Sequence, residues 1–190
     1  MINLVKCSSK NAEAKFIGER EEELGKISAS ARRFFKGEYL QTAFVPEEDK
    51  ILLLVGTGKK KRESVHLKEL GAAAAKAFLD AGIYDFSLDV SGILKEYGLN
   101  ALGHVTEGAV LGTYKQKQFK KAEDKEYHIE ISGVSEKDYQ EAEKILKDTL
   151  VVAEGIWFAR DMVNLPGNRL RPSDFAEQIL EFVKDTDIEA

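Results

Sequence analysis

Ile51-Leu52-Leu53-Leu54-Val55, closed by Gly56-Thr57-Gly58 and followed by an alanine-rich stretch over 64–81, decides the fold. Five consecutive apolar residues bounded by glycine read as a strand buried on both faces. The stretch from Ser64 reads as a helix, with Ala72 to Ala75 at its centre. Small side chains there let a helix lie close on a sheet. Gly82 breaks it, and residues 83–90 read as another strand. Strands and helices in alternation favour an α/β layer structure with a largely buried sheet.

Upstream, residues 2–7 alternate weakly as a strand and 14–18 form a short one. Residues 21–35 have helical spacing, with Leu24, Ile27, Ala31 and Phe34 or Phe35 on one side and Gly37 at the end. Residues 42–45 read as a strand closed by Pro46. Downstream, helices are predicted over 91–97 and 100–114, a charged loop over 115–126 and a strand over 127–131. The longest helix runs from Ser135, which forms a loose capping box with Asp138, to Val163. Tyr139, Ala142, Ile145, Leu146, Thr149 and Ala153 mark its apolar side, and at 1.5 Å per residue it spans roughly 40 Å. Asn164-Leu165-Pro166-Gly167 stops it, and 175–183 form a last amphipathic helix. One helix cannot build a core, so the sequence reads as ending just inside a second domain. The expected division is an α/β domain over 1–134, a linking helix over 135–163 and the start of that second domain over 164–190.

The chain has 190 residues, 28 Lys plus Arg and 33 Asp plus Glu, for a net charge of −5. Hydrophobic residues make up 43%, enough for a packed core and against wholesale disorder. No apolar run approaches the ~20 residues of a membrane span. Met1-Ile2-Asn3-Leu4-Val5-Lys6 lacks the layout of a signal peptide. The single cysteine, Cys7, excludes an internal disulfide, which fits a reducing cytosol. The mild acidity gives no reason to expect nucleic acid as a partner.

Few residues offer chemistry. His66, His104 and His128 lie far apart and form no short-spaced metal pair with one another or with Cys7. Cys7, on an expected core strand, reads as a small hydrophobe. Gly56-Thr57-Gly58-Lys59-Lys60-Lys61 invites a phosphate-loop reading, but it matches neither nucleotide-loop pattern and is also explained by a tight turn with an exposed basic run. Gly108-Ala109-Val110-Leu111-Gly112-Thr113-Tyr114 reads as a ligand loop or, preferably, as a helix whose small residues permit close packing. The basic clusters at 59–62 and 115–121 read as solvated loops. No pair of carboxylates stands out as acid and base. The residues alone therefore describe an α/β domain with no visible active site.

One segment adds more. Phe158-Ala159-Arg160-Asp161-Met162-Val163-Asn164-Leu165-Pro166-Gly167-Asn168 resembles a signature of the leucine aminopeptidase (cytosol aminopeptidase) family, where a similar stretch joins the N-terminal domain to the catalytic one. Leu170-Arg171-Pro172-Ser173-Asp174-Phe175-Ala176-Glu177 is similar to the family's next segment and helix. Leu54-Val55-Gly56-Thr57-Gly58-Lys59 resembles its Val-Gly-Leu-Gly-Lys turn, and residues 107–114 resemble its Glu-Gly-x-x-Leu-x-x-Tyr helix. The resemblance covers about 50–185 in the family's order. Arg171 departs from it, standing where a capping threonine is common, which is expected to weaken that helix start.

The resemblance implies a macro-domain-like α/β/α fold of three layers with a mixed sheet, followed by the linking helix and the first piece of the catalytic domain. It implies metal-dependent removal of N-terminal amino acids from peptides, with two divalent ions (manganese or zinc) activating water and polarising the carbonyl. The family's ligand and catalytic motifs do not occur in these residues, so no catalytic, cofactor-binding or metal-binding residue is assigned to this chain. Its expected role is to support a homohexamer in the cytoplasm, with its own catalytic domain and sister subunits as partners. The alternative is a macro-type module binding ADP-ribose, with residues 108–114 as its phosphate loop.

Overall fold

The computed structural model describes residues 2–6, 9–59, 63–115 and 126–189. Cys7, Lys60, Lys61, Arg62 and residues 116–125 lie outside these, and with them most of both basic clusters. Among the described residues, six strands form one mixed sheet: β1 (Ile2–Leu4), β2 (Ala12–Gly18), β3 (Thr42–Pro46), β4 (Ile51–Gly58), β5 (Asp85–Asp89) and β6 (His128–Ser132). Their order is β1-β6-β5-β2-β4-β3, parallel throughout except for the edge strand β3.

Leu52, Leu53, Leu54 and Val55 are all buried, as a strand covered on both faces requires. Alternate residues serve separate cores. Leu53 and Val55 join Ala14, Phe16, Phe86 and Ile131 on the first face, against the helices α2 (Ser64–Asp80) and α4 (Ala101–Gly112). Leu52, Leu54 and Ile17 meet Ile27, Ala31 and Phe35 on the second. Helix α2 buries Leu67, Leu70, Gly71, Ala74, Ala75 and Phe78, one stripe at 3.6-residue spacing. Gly82, at φ +76°, ends it in the left-handed conformation that glycine adopts without penalty. Strand β5 feeds α3 (Ser91–Tyr97) and α4 on the first face, while β2 sends the chain to the second face.

The second-face layer departs from expectation. Residues 21–35 are not one helix. They form α1 (Glu21–Leu24) and a single 3-10 turn (Ala31–Arg33). Gly25 costs about 1 kcal/mol in a helix interior, and the Ser28 hydroxyl accepts the Ala31 N–H at 3.2 Å, a local bond that competes with the helical ladder. The apolar spacing still does its work: Ile27, Ala31 and Phe35 are buried while Phe34 faces outward.

The expected glycine turn after Val55 is also different, because β4 continues through Gly58. The Gly56 N–H donates to Gln41 O (2.7 Å) and the Gly58 N–H to Gly37 O (2.9 Å). A Cβ on Gly56 would stand 1.9 Å from Glu38 O, so glycine is required by the chain crossing over it. Residues 107–114 take the helical alternative, as part of α4 and its end. A Cβ on Gly108 would lie 1.8 Å from Lys68 O, and one on Gly71 would lie 2.0 Å from Val105 O. Helices α2 and α4 therefore touch backbone to backbone, and Lys68 is clamped a second time by Glu107 at 2.7 Å.

The link from β1 to β2 crosses the second face. Glu130 on β6 anchors it, accepting the Ser9 N–H and hydroxyl, each at 3.0 Å, with the Lys10 ammonium at 3.7 Å. These groups lie 121 residues apart in sequence. Glu130→Ala removes these contacts together, and hydrogen bonds to a charged group are worth about 1.5–3 kcal/mol. The variant is expected to unfold at clearly lower urea with an unchanged slope; an unshifted midpoint would mean the crossing is not held there.

Candidate functional site

The long helix α5 (Tyr139–Asn164) begins after a 3-10 turn at Glu136–Asp138, where the Ser135 hydroxyl meets the Asp138 carboxylate at 2.5 Å. Ala142, Leu146 and Ala153 bury its first half. Its second half carries Trp157, Arg160, Asp161 and Asn164, spaced as one helix face. That face meets the end of α4. The Tyr114 hydroxyl donates to Asp161 Oδ1 at 2.9 Å and accepts from Asn164 Nδ2 at 3.1 Å. Arg160 lies over the Tyr114 ring, 5.3 Å from its centre, and donates to the Leu111 carbonyl at 3.2 Å. A guanidinium at the last turn of α4 meets the negative end of the helix dipole. The Thr113 hydroxyl donates to Val110 O at 2.7 Å, satisfying another terminal carbonyl. Burial raises the phenol of Tyr127 above its ordinary value, with a hydrogen bond to Thr113 opposing the shift.

Two stretches singled out in the sequence, 107–114 and 158–168, thus form one lock between α4 and the outgoing helix. The i, i+3, i+4, i+7 spacing of Trp157, Arg160, Asp161 and Asn164 was the available signal; the pairing with Tyr114 was not visible. Tyr114→Phe keeps the ring and removes two hydrogen bonds. It is expected to cost about 1–2 kcal/mol in urea unfolding, and a parental midpoint would count against the lock.

Beyond the lock the helix face opens. Val163 is 84% exposed. Leu165 leaves the helix in an extended conformation, and α6 (Pro172–Val183) follows. Its start is better held than Arg171 suggested. Asp174 reaches back to accept the Arg171 backbone N–H at 3.0 Å and the guanidinium Nε and Nη2, with Pro172 at the first helical position. That hydrogen bonding holds the Asp174 carboxyl below its ordinary value. Phe182 stacks on Phe158 at 4.2 Å, yet Phe175 and Leu180 remain exposed. This leaves an uncovered apolar surface across the end of α5 and α6.

The remaining candidates stay apart. His66 sits edge-on to the Tyr39 ring at 5.7 Å, His104 lies half-buried on α4 and His128 is exposed at the start of β6. No group of three His, Cys, Asp or Glu able to hold a metal occurs among the described residues. This chain's described residues therefore do not fit the two divalent ions that the sequence resemblance implies. Cys7 falls outside the described residues. Lys59 is exposed and lies 3.3 Å from Glu19. No described helix is long and apolar enough to cross a membrane.

The structure is thus an α/β domain whose helix α5 is bolted to its body through Tyr114 and, with α6, carries an uncovered apolar face. The family model for the N-terminal domain of the cytosol aminopeptidase family matches residues 8–123, and the chain belongs to that family. It is 28% identical over 187 residues to a probable cytosol aminopeptidase of Geotalea uraniireducens, covering 92% of this chain and 37% of that protein. It is 31% identical over 134 residues to the chloroplastic neutral leucine aminopeptidase of Solanum lycopersicum, covering 68% and 23%. The chain thus spans well under half the length of either relative. Among solved structures, a mutant of tomato leucine aminopeptidase superposes with TM-score 0.79 at 21% identity, covering 97% of this chain and 42% of that one. The bottromycin maturation enzyme BotP gives 0.79 at 22%, covering 95% and 38%. At these identities the two superpositions establish the fold.

Proposed function

We propose that this chain is the non-catalytic N-terminal part of a metal-dependent leucyl aminopeptidase, a hydrolase that removes N-terminal amino acids from peptides. The observation that carries the reading is the uncovered apolar surface of α5 and α6 directly beyond the Tyr114 lock. In this account residues 1–134 are the N-terminal domain, 135–163 link it, and 164–190 begin the catalytic domain. Two divalent ions, manganese or zinc, and all catalytic residues belong to the part of the protein that follows. Peptide reaches the enzyme only there. The domain's own task is to hold that part in place and to support a homohexamer in the cytoplasm, although the tomato relative is named as chloroplastic. Neither glycine segment supports a macro-type ADP-ribose module, since the Gly56 and Gly58 N–H groups are already bonded to backbone and Gly108 lies inside α4. Sedimentation of the longer protein tests the assembly role. A hexamer-sized particle is expected, and a fully active monomer would remove that role.

A further inference from the structure

Residues 26–37 hold four cations, Lys26, Arg32, Arg33 and Lys36, and no carboxylate, in a chain whose net charge is −5. All four are exposed, and none makes an ion pair among the described residues. Other exposed cations do: Lys6, Lys59, Lys76 and Lys184 each face a carboxylate. Like charges left unpaired so close together repel one another, a cost that an acidic partner removes.

Three of these cations flank a displayed ring. Phe35 is fully buried and anchors the turn in the second-face core, while its neighbour Phe34 is 54% exposed. The turn is also held in place. The Phe34 and Phe35 N–H groups both donate to the Ala31 carbonyl, at 3.2 and 2.9 Å. Gln41, just before β3, clamps the turn from outside it. Its Oε1 accepts the Lys36 N–H at 2.8 Å, and its Nε2 donates to the Phe34 carbonyl at 3.0 Å. The Lys36 ammonium donates to the Arg32 carbonyl at 2.7 Å, which keeps that charge beside the turn. Arginine and aromatic side chains dominate binding hot spots, and a surface already ordered loses little freedom on binding.

The patch is small and its surroundings are acidic. Glu38 lies two residues past Lys36, and Glu47 and Glu22 line hollows that Lys26 also lines. A flat anionic membrane or a long nucleic-acid strand would meet these carboxylates too, and one exposed ring gives no row on which bases stack. A short segment with its carboxylates close together meets the cations alone. Arginine takes a carboxylate on two parallel N–H bonds, and Phe34 adds an apolar contact. We propose that the turn over Arg32–Lys36 docks a short acidic peptide segment of a partner protein, with carboxylates on Arg32, Arg33 and Lys36 and an apolar side chain against Phe34. The patch lies entirely within this chain, so it stands or falls separately from the aminopeptidase reading.

Fluorescence anisotropy of a labelled Asp-Glu-Leu-Glu-Asp-Glu peptide, titrated with the 190-residue chain, tests it. Saturable one-to-one binding is expected, weakening as salt rises. Arg32→Gln with Arg33→Gln is expected to weaken it about tenfold or more, the scale of lost charge-assisted bonds. Phe34→Ser is expected to weaken it as well, and so is glycine in place of the peptide's leucine. All these residues are exposed, so the thermal melt should not move. Lys144→Gln with Lys147→Gln, an equal loss of exposed charge on α5, is expected to leave binding unchanged. Oligodeoxythymidylate and phosphatidylserine vesicles are the competing arms, and both are expected to bind more weakly than the peptide. The proposal is overturned by any of four results: no saturable binding of the peptide, equal weakening by the α5 variant, indifference to both Phe34→Ser and loss of the peptide's leucine, or tighter binding of the oligonucleotide or the vesicles.

Discussion

Replacing Gly108 by alanine is expected to cost about 3 kcal/mol or more, because the new methyl would stand 1.8 Å from the Lys68 carbonyl and has no flexible side chain to displace. Only backbone movement can relieve the clash, and α2 is held by Leu67, Leu70, Ala74 and Phe78 in the main core. Against a typical total stability of about 5–15 kcal/mol, that is enough to leave a large unfolded population near body temperature. The control is Gly155→Ala on α5, where an added Cβ meets nothing within 4 Å. There alanine's better helix propensity should stabilise by up to about 1 kcal/mol. Thermal and urea melts followed by circular dichroism would show both. If Gly108→Ala melts like the parent, α2 and α4 do not touch as described.

The second large effect separates this chain from the longer protein. Val163, Phe175 and Leu180 are 84%, 42% and 52% exposed. Changing all three to glutamine should alter the stability of the 190-residue chain by no more than about 0.5 kcal/mol per site, as at other surface positions. In the full protein the same side chains are proposed to lie against the catalytic domain. Burying each is worth about 1.5–3 kcal/mol, so losing three weakens docking by roughly 5 kcal/mol, or between three and four powers of ten. Limited proteolysis near Pro166 would read the difference. A triple variant that destabilises the isolated chain severely, yet leaves the full protein resistant to cleavage, would reverse the assignment of that surface.

What could be read from the sequence followed physical locality. Strand β4 and helix α2 were legible because continuous burial and a 3.6-residue stripe are properties of the segment itself. The same holds for α5, whose stripe runs the length of the helix. Residues 21–35 were half legible: the spacing of Leu24, Ile27, Ala31 and Phe35 identified the buried side, but not that Gly25 and Ser28 would break the helix between them. Gly56 and Gly58 looked like a turn because the segment crossing them, 37–41, is not adjacent in the pattern. The Ser9–Glu130 anchor and the meeting of Tyr114 with Asp161 and Asn164 join groups distant in sequence, and no local period announces them. The segment 158–168 carries its resemblance in its own residues, but its grip on Tyr114 joins groups far apart in sequence.

This domain is proposed to position chemistry that it does not itself perform. The direct test is hydrolysis of a chromogenic leucine amide by the purified 190-residue chain, with and without added manganese or zinc, beside the full-length protein. No metal-dependent release is expected from the chain, and clear release from the full protein. Turnover by the homogeneous chain that rises with metal and is abolished by a chelator would contradict it.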